Sequence, residues 1–490
     1  MSLLEIIILL PLLGAALIGF GAPARLVGRS VALINLLLGG AALALLQQGK
    51  TLASSRVVLD TPKIAFSVGL DGLSAIMLLL TVLVTLAAIW QIIDKPAIYY
   101  TASLLISGGA LGAFLSTDLF FMYGFHELAL IPTLLMIAIH GHGDATTRRG
   151  IAWKITVYLG VGSLILLAGL AALVIYIGQG ATFDLGYLTQ AAANVKLPAA
   201  TQGWIFFILL IGFGTLVSLF PMHSWAAPAY ASAPTPVAML HAGVLKKFGL
   251  YGLIKVALPL LPLGAKLEWV QNALLLMLVG NIIVIGLVTI HQDRLDTLLG
   301  NSSVMHMGYL FLGLAAGSQI ALNGVVLLMF AHGISIALLF AICGKLRNQL
   351  GTLQFDKLGG LAANAPFLSL MFAFGAFASI GLPGLANFAG EVMVFVGTFD
   401  PSVGSLTSGL KNIHWATIFG LWGVVMSAVY MLRAYRKLFF GKPSSGLFMS
   451  DLVSSQRLPF VLLAVVLLVA GCYPGFLTGL IHGMFVTAAN

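Results

Sequence analysis

Charged side chains are so scarce in this chain that water cannot be the solvent for most of it. Asp, Glu, Lys and Arg make up 8% of its 490 residues, against about 25% in a soluble domain. Runs of roughly 18 to 25 apolar residues, each long enough to cross about 30 Å of hydrocarbon as a helix, recur along nearly the whole length. The expected fold is therefore an all-α polytopic membrane protein with about 14 transmembrane helices. They are read at 3–20, 27–47, 70–93, 99–116, 118–140, 151–178, 202–220, 234–262, 268–291, 297–316, 322–345, 362–398, 411–437 and 458–480. The start, MSLLEIIILLPLLG, carries Glu5 in place of a basic n-region and has no small-residue cleavage site. It reads as the first spanning helix and not as a removable signal.

The remaining charges orient the bundle and exclude several functions. The net charge of +9 comes from only 24 Lys and Arg residues with no basic run, which argues against nucleic acid. The odd-numbered loops hold 15 of them, including Arg25, Arg29, Arg148 and Arg149, while the even-numbered loops hold 6 and the eighth span 3. Cytoplasmic loops are enriched in Lys and Arg, so both termini are expected on the non-cytoplasmic side of the membrane. Cys343 and Cys472 both lie in apolar segments, with no CxxC pair and no metal-spaced His/Cys cluster. No Gly-rich nucleotide loop follows a strand.

Spans seven and twelve are interrupted by LFPMHSWAAPAYASAPTP (219–236) and ASIGLPGLANFAG (378–390). A broken helix frees backbone carbonyls, which a bilayer tolerates only where protein or water satisfies them. The breaks sit at matching places in two five-helix units, and because five is odd the second copy is expected to be inverted. The units are 99–262 and 263–438, flanked by N-terminal helices (1–98) and a C-terminal loop and helix (439–490).

A few ionisable residues fall near the expected bilayer centre, where each charge costs at least about 2.5 to 3.5 kcal/mol and function is the default explanation. They are Glu127, Lys246, Lys247, Lys255 and Glu391. In a regular helix Lys247, Tyr251 and Lys255 share one face and Lys246 points about 100° away, which favours Lys247 as the functional lysine. Lys255 also fits snorkelling toward the interface. His306, His332 and, beside the first break, His223 can exchange protons near neutral pH. With Lys345, thirteen residues after His332, these groups are expected to form a row Glu127–Lys247–His332–Lys345–Glu391, passing protons through intervening waters.

At these residues the chain resembles the antiporter-like subunits shared by complex I and the Mrp cation/proton antiporters, over nearly its whole length. GLDGLS (70–75), FHELALIP (125–132), HMGY (306–309), AHGIS (331–335) and GLPGLANFAGE (381–391) are closest to the M-type members. Glu391 is the discriminating residue: L-type, N-type and Mrp relatives usually carry Lys there, and an L-type chain would continue into a long lateral helix. The resemblance implies proton handling by Glu127, Lys247, His306, His332 and Glu391, with Lys154 as the basic residue flanking the sixth helix. It implies no cofactor in this chain. NADH or another donor, FMN, iron–sulfur clusters and quinone belong to partner subunits, and the neighbours would be L-type, N-type and small membrane subunits.

One position departs from the pattern. The family carries a Lys five residues before the proline of PxHxW, where it pairs with the fifth-helix Glu; here that position is Leu216. Pro228 and Tyr230 also stand where Asp and His are usual. Glu127 then needs another partner, for which Thr215, Ser218, His223 and Lys154 are candidates, or it stays neutral. Three functions follow: an active proton-translocating subunit of an NADH:quinone oxidoreductase with no redox centre of its own, a structural spacer with impaired pumping, or a Mrp-type sodium/proton antiporter subunit.

Overall fold

The computed structural model describes residues 1–404, 409–442 and 449–481. Helices are numbered in chain order: α1 (Leu3–Gly19), α2 (Ala24–Gln47), α3 (Gly72–Trp90), α4 (Ala97–Leu115), α5 (Leu119–His140), α6 (Ala145–Tyr176), α7 (Leu185–Asn194), α8 (Ala199–Val217) and α9 (Ala226–Ser232). The second half comprises α10 (Thr235–Gly243), α11 (Phe248–Gly252), α12 (Leu258–Leu260), α13 (Pro262–Ala265), α14 (Glu268–Val279), α15 (Ile285–Ile290), α16 (Leu295–Ala316) and α17 (Gln319–Leu350). It ends with α18 (Pro366–Ile380), α19 (Ala386–Gly397), α20 (Asn412–Phe439), α21 (Ser454–Cys472) and the short α22 (Gly475–Thr478). Among the described residues, eleven helical stretches are long and apolar enough to cross a bilayer. Shorter apolar helices add α1 and the α18/α19 pair, and α16 falls at the remaining expected span, so this is a multi-pass membrane protein. Parts of the expected units 263–438 and 439–490, namely 405–408, 443–448 and 482–490, lie outside the described residues.

Short polar side chains mark where helices start, because the first N–H groups have no partner within the helix. Asp71 accepts from Ser74 N at 2.9 Å to open α3, Asp118 from Phe120 N at 2.9 Å to open α5, and Ser318 from Ala321 N at 3.2 Å to open α17. Both expected breaks are present. Beyond α8 the backbone turns left-handed at Ser218 (φ 70°) and runs irregularly to α9, and Gly381 (φ 81°) and Gly384 (φ 91°) separate α18 from α19.

Two of the features not expected from the sequence bear on the site and its surroundings. The stretch between the second and third spans is an antiparallel hairpin, β1 (Ala53–Asp60) with β2 (Lys63–Gly69), in a register that pairs Ala53 with Gly69 and Asp60 with Lys63. It bridges to Ser116 and Thr182, while Asp118 bridges to Asp184, so these even-numbered connections form one cap at one end of the bundle. The eighth span, expected as a regular helix over 234–262, is instead irregular. After α10 come a 3₁₀ turn at Leu245–Lys247, the short α11, a π turn at Leu253–Ala257 and α12. Pro259 has no N–H to offer the carbonyl of Lys255 and its ring crowds that carbonyl, so the wider turn falls just ahead of it.

Helix α17 is the centre of the bundle, packed against α3, α10, α16, α18, α19 and α21. Two glycines bring its backbone against α10. A Cβ on Gly243 would lie 3.0 Å from the Gly333 carbonyl oxygen, and one on Gly333 would lie 2.6 Å from that of Gly243. This close approach puts the residues just beyond Gly243 beside the middle of α17.

Candidate functional site

The lysine pair follows directly after α10 at that crossing, in the 3₁₀ turn. Lys246 and Lys247 are both fully buried. Lys247 Nζ donates to the Ala242 carbonyl at 2.6 Å and lies 3.0 Å from His332 Nδ1 on α17. Both nitrogens can carry protons, so one proton can sit on either side of that contact. His332 and His306 of α16 face each other with ring centroids 5.7 Å apart. His306 Nδ1 lies 2.7 Å from the Ser302 carbonyl and Nε2 lies 2.8 Å from the Ser379 carbonyl. Carbonyls only accept, so both nitrogens can donate at once only when the ring carries two protons.

Ser379 belongs to the second break, and its carbonyl is among those the break frees. Two residues on, Gly381 has no side chain, and the Glu391 carboxyl occupies the space: a Cβ at Gly381 would overlap Glu391 Oε2. Glu391 is buried, and its Oε1, like Asn387 Oδ1 one turn earlier and Tyr309 Oη, has no hydrogen-bond partner among the described residues. Buried polar atoms are ordinarily paired with protein or ordered water, so these atoms call for water or a proton on the carboxyl. The row thus runs Lys247, His332, His306, Ser379 carbonyl, Glu391.

On the other side of Lys247 the lining changes. Glu127 on α5 accepts from Ser163 Oγ of α6 at 2.5 Å and lies 3.3 Å from His126 Nδ1. Its side chain is 33% exposed at the perimeter. None of the four partners expected for it makes that contact: Thr215 donates to the Ile211 carbonyl, Ser218 to the Val217 carbonyl, His223 stacks on Phe220, and Lys154 is exposed near the Tyr158 ring. Beside Glu127 is an aromatic cluster: the His126 ring stacks on Phe248 at 4.1 Å and Phe248 meets Phe213 edge-on at 5.8 Å. Leu216 is buried in the same apolar layer. The first break is stitched by neutral groups: Asn281 accepts from Phe220 N at 2.6 Å and donates to Ser218 O at 3.1 Å, and Trp225 Nε1 donates to Thr215 O at 3.1 Å.

Other residues fall outside the row. Tyr251 donates to the Phe114 carbonyl at 2.6 Å, and Lys255 is ion-paired with Asp71 at the head of α3 instead of snorkelling. Burial pushes the Asp71 carboxyl up, but Lys255 and the Ser74 hydrogen bonds outweigh it and hold the group below its ordinary value. The expected common face of Lys247, Tyr251 and Lys255 does not exist, because the 3₁₀ and π turns rotate the three residues relative to one another. Lys345 is not between His332 and Glu391. Thirteen residues along a straight helix is about 20 Å, and its Nζ donates to Gln456 Oε1 at 2.8 Å near the far end of α17. The sequence reading set aside Lys246, whose Nζ donates to Ser303 O at 3.1 Å and lies 5.6 Å from the Tyr230 ring centroid. It also missed His241, buried against Trp225 and Tyr230, and Ser163 and Asn281, whose signal was a lone polar residue in an apolar run.

Residues 116–409 match the family model described as NADH:quinone oxidoreductase/Mrp antiporter, transmembrane. The chain is 34% identical over 419 residues to NADH-quinone oxidoreductase subunit M of Pseudomonas aeruginosa, covering 84% of this chain and 79% of that one. It is 32% identical over 495 residues to NAD(P)H-quinone oxidoreductase chain 4 1 of a Synechococcus strain, covering 97% and 90%. Among solved structures it is similar to a chain of respiratory complex I from Thermus thermophilus with bound NADH, at a TM-score of 0.89 and 28% identity over 99% of both chains.

Proposed function

The chain belongs to the NADH:quinone oxidoreductase/Mrp antiporter transmembrane family, and from that premise we propose that it moves protons along the buried row from Lys247 to Glu391. The observation that carries this reading is the 3.0 Å contact between Lys247 Nζ and His332 Nδ1, two groups with no access to bulk solvent. A charged Lys247 donates to the unprotonated His332 nitrogen; transfer leaves a neutral amine and an imidazolium. The new charge raises the cost of a second proton on His306, so that ring releases one toward the second break, where the Glu391 carboxyl receives it through water. Such groups conduct only if each can be charged and neutral in turn, which burial without a fixed counter-ion favours.

Glu127 serves this row as an outer proton group, held by Ser163 and His126. The units 99–262 and 263–438 act as inverted repeats around the two breaks, and both termini face away from the cytoplasm in a bacterial inner membrane. Like its quinone-oxidoreductase relatives, the chain works as a membrane subunit of a translocase. It sits beside L-type, N-type and small membrane subunits, with the electron donor, FMN, iron–sulfur clusters and quinone in other subunits of the assembly. The decisive experiment replaces Glu391 with Gln or Lys247 with Leu and follows proton uptake in vesicles during donor oxidation. Loss of uptake with electron transfer retained supports the proposal, and unchanged uptake refutes it. A spacer with impaired pumping is the second reading, favoured by Leu216 and Phe248, and it requires that Glu127→Gln leave translocation unaltered.

A further inference from the structure

A cavity of about 150 Å³ opens near the end of α17 that carries Lys345, among α2, α3 and α21. Its lining includes Arg25, Arg29, Trp90, Lys345, Gln456 and Phe460. Three cations converge here, and no Asp or Glu is among the described residues that line it. Their contacts leave the charge uncompensated. Lys345 donates to a neutral amide, Gln456 Oε1, at 2.8 Å. Among the described residues, Arg29 reaches only the Trp90 carbonyl, at 3.4 Å, lies 5.0 Å from the Trp90 ring centroid, and keeps a buried Nε with no partner. Like charges gathered without an anion repel one another, so the arrangement fits a site built for a negative ligand.

The surroundings narrow what that ligand is. Outside the cavity, α2 and α21 present exposed apolar side chains, among them Leu26, Leu37, Leu458 and Val465. A tryptophan at the rim matches the aromatic belt of the interface, and the site lies at the end of the bundle that carries most of the Lys and Arg residues. At about 150 Å³ the cavity has room for a phosphodiester group. We propose that this cavity binds the phosphate headgroup of an anionic phospholipid, with the acyl chains lying along α2 and α21. The site is separate from the row between Lys247 and Glu391, so it stands or falls independently of the proton reading.

The test uses the full chain, purified and equilibrated with vesicles of phosphatidylcholine and phosphatidylglycerol, and counts the lipids that remain bound by native mass spectrometry. Arg29→Gln with Lys345→Gln is expected to lower retained phosphatidylglycerol on the order of thirtyfold, from two lost basic contacts. Retained phosphatidylcholine should not change, and added inorganic phosphate should not displace the lipid. Equal phosphatidylglycerol retention by the double variant, or displacement by free phosphate, overturns the proposal. Should the double variant fail to fold, Arg25→Gln, at an exposed position, must still lower retention by about fivefold; unchanged retention there overturns it equally.

Discussion

Lys247 has a histidine nitrogen 3.0 Å away on α17, whereas the Glu127 side of the molecule carries an aromatic cluster in which His126 stacks on Phe248. The two breaks differ in the same way. Asn281 and Trp225, neither of which titrates, satisfy the carbonyls of the first, whereas His306 occupies the freed carbonyl of the second. Both halves pay the cost of interrupting a helix in the bilayer, but the second sets a histidine, His306, against a carbonyl the break frees, whereas the first meets the Ser218 and Thr215 carbonyls with Asn281 and Trp225. A broken helix is therefore a place where conduction can be built, and the side chain that answers the free carbonyl decides whether it is.

The largest effects should fall on the second half. Lys247→Leu, His332→Phe or Glu391→Gln should each slow proton delivery by about a hundredfold or more, as expected when a positioned proton carrier is removed. Uptake measured with a pH-sensitive dye in vesicles checks this, and near-normal rates would erase the contrast between the halves. Gly381→Ala comes next, because alanine there is strained at positive φ by about 1 to 2 kcal/mol and its methyl displaces the Glu391 carboxyl. The thermal midpoint and the proton rate should fall together.

Glu127→Gln should matter less. Losing a hydrogen bond worth about 1 kcal/mol reduces a dependent step by about fivefold; complete loss of uptake would instead show that the first half is an obligatory path. Leu216→Lys sharpens the point. Gly162 packs against Thr215, and its neighbour Ser163 holds Glu127, so a lysine at 216 enters the same layer. A double-mutant cycle with Glu127→Gln should give a coupling of about 1 kcal/mol, and zero coupling would mean that the new ammonium finds another partner. Lys345→Gln should leave proton rate unchanged and stability within about 0.5 kcal/mol. A pumping defect there would return Lys345 to the relay.

The crossings and both breaks were legible because hydropathy and Pro/Gly punctuation are local signals. The hairpin at 53–69 was not, since strand pairing and the cap it joins depend on loops far along the chain. Glu391, His306, His332 and Lys247 could be picked out as charges and histidines in apolar sequence. Their order could not, because it depends on how α10, α16, α17 and the second break cross. Lys345 was misplaced by counting it as a neighbour of His332 without converting thirteen residues into length. Lys246 was set aside, and Lys255 given a shared face, by assuming an even helical pitch that Pro259 and the turns around it do not keep.

Those turns have opposite senses. The 3₁₀ segment at Leu245–Lys247 is overwound and the π segment at Leu253–Ala257 is underwound, so the twist gained in one is given back in the other. A chain shortened by one residue within 253–257 could close into plain α-helix and still leave the far end seated as before. Length changes here are thus absorbed locally, and related sequences aligned across this helix should slip by one position while the lysines keep their places.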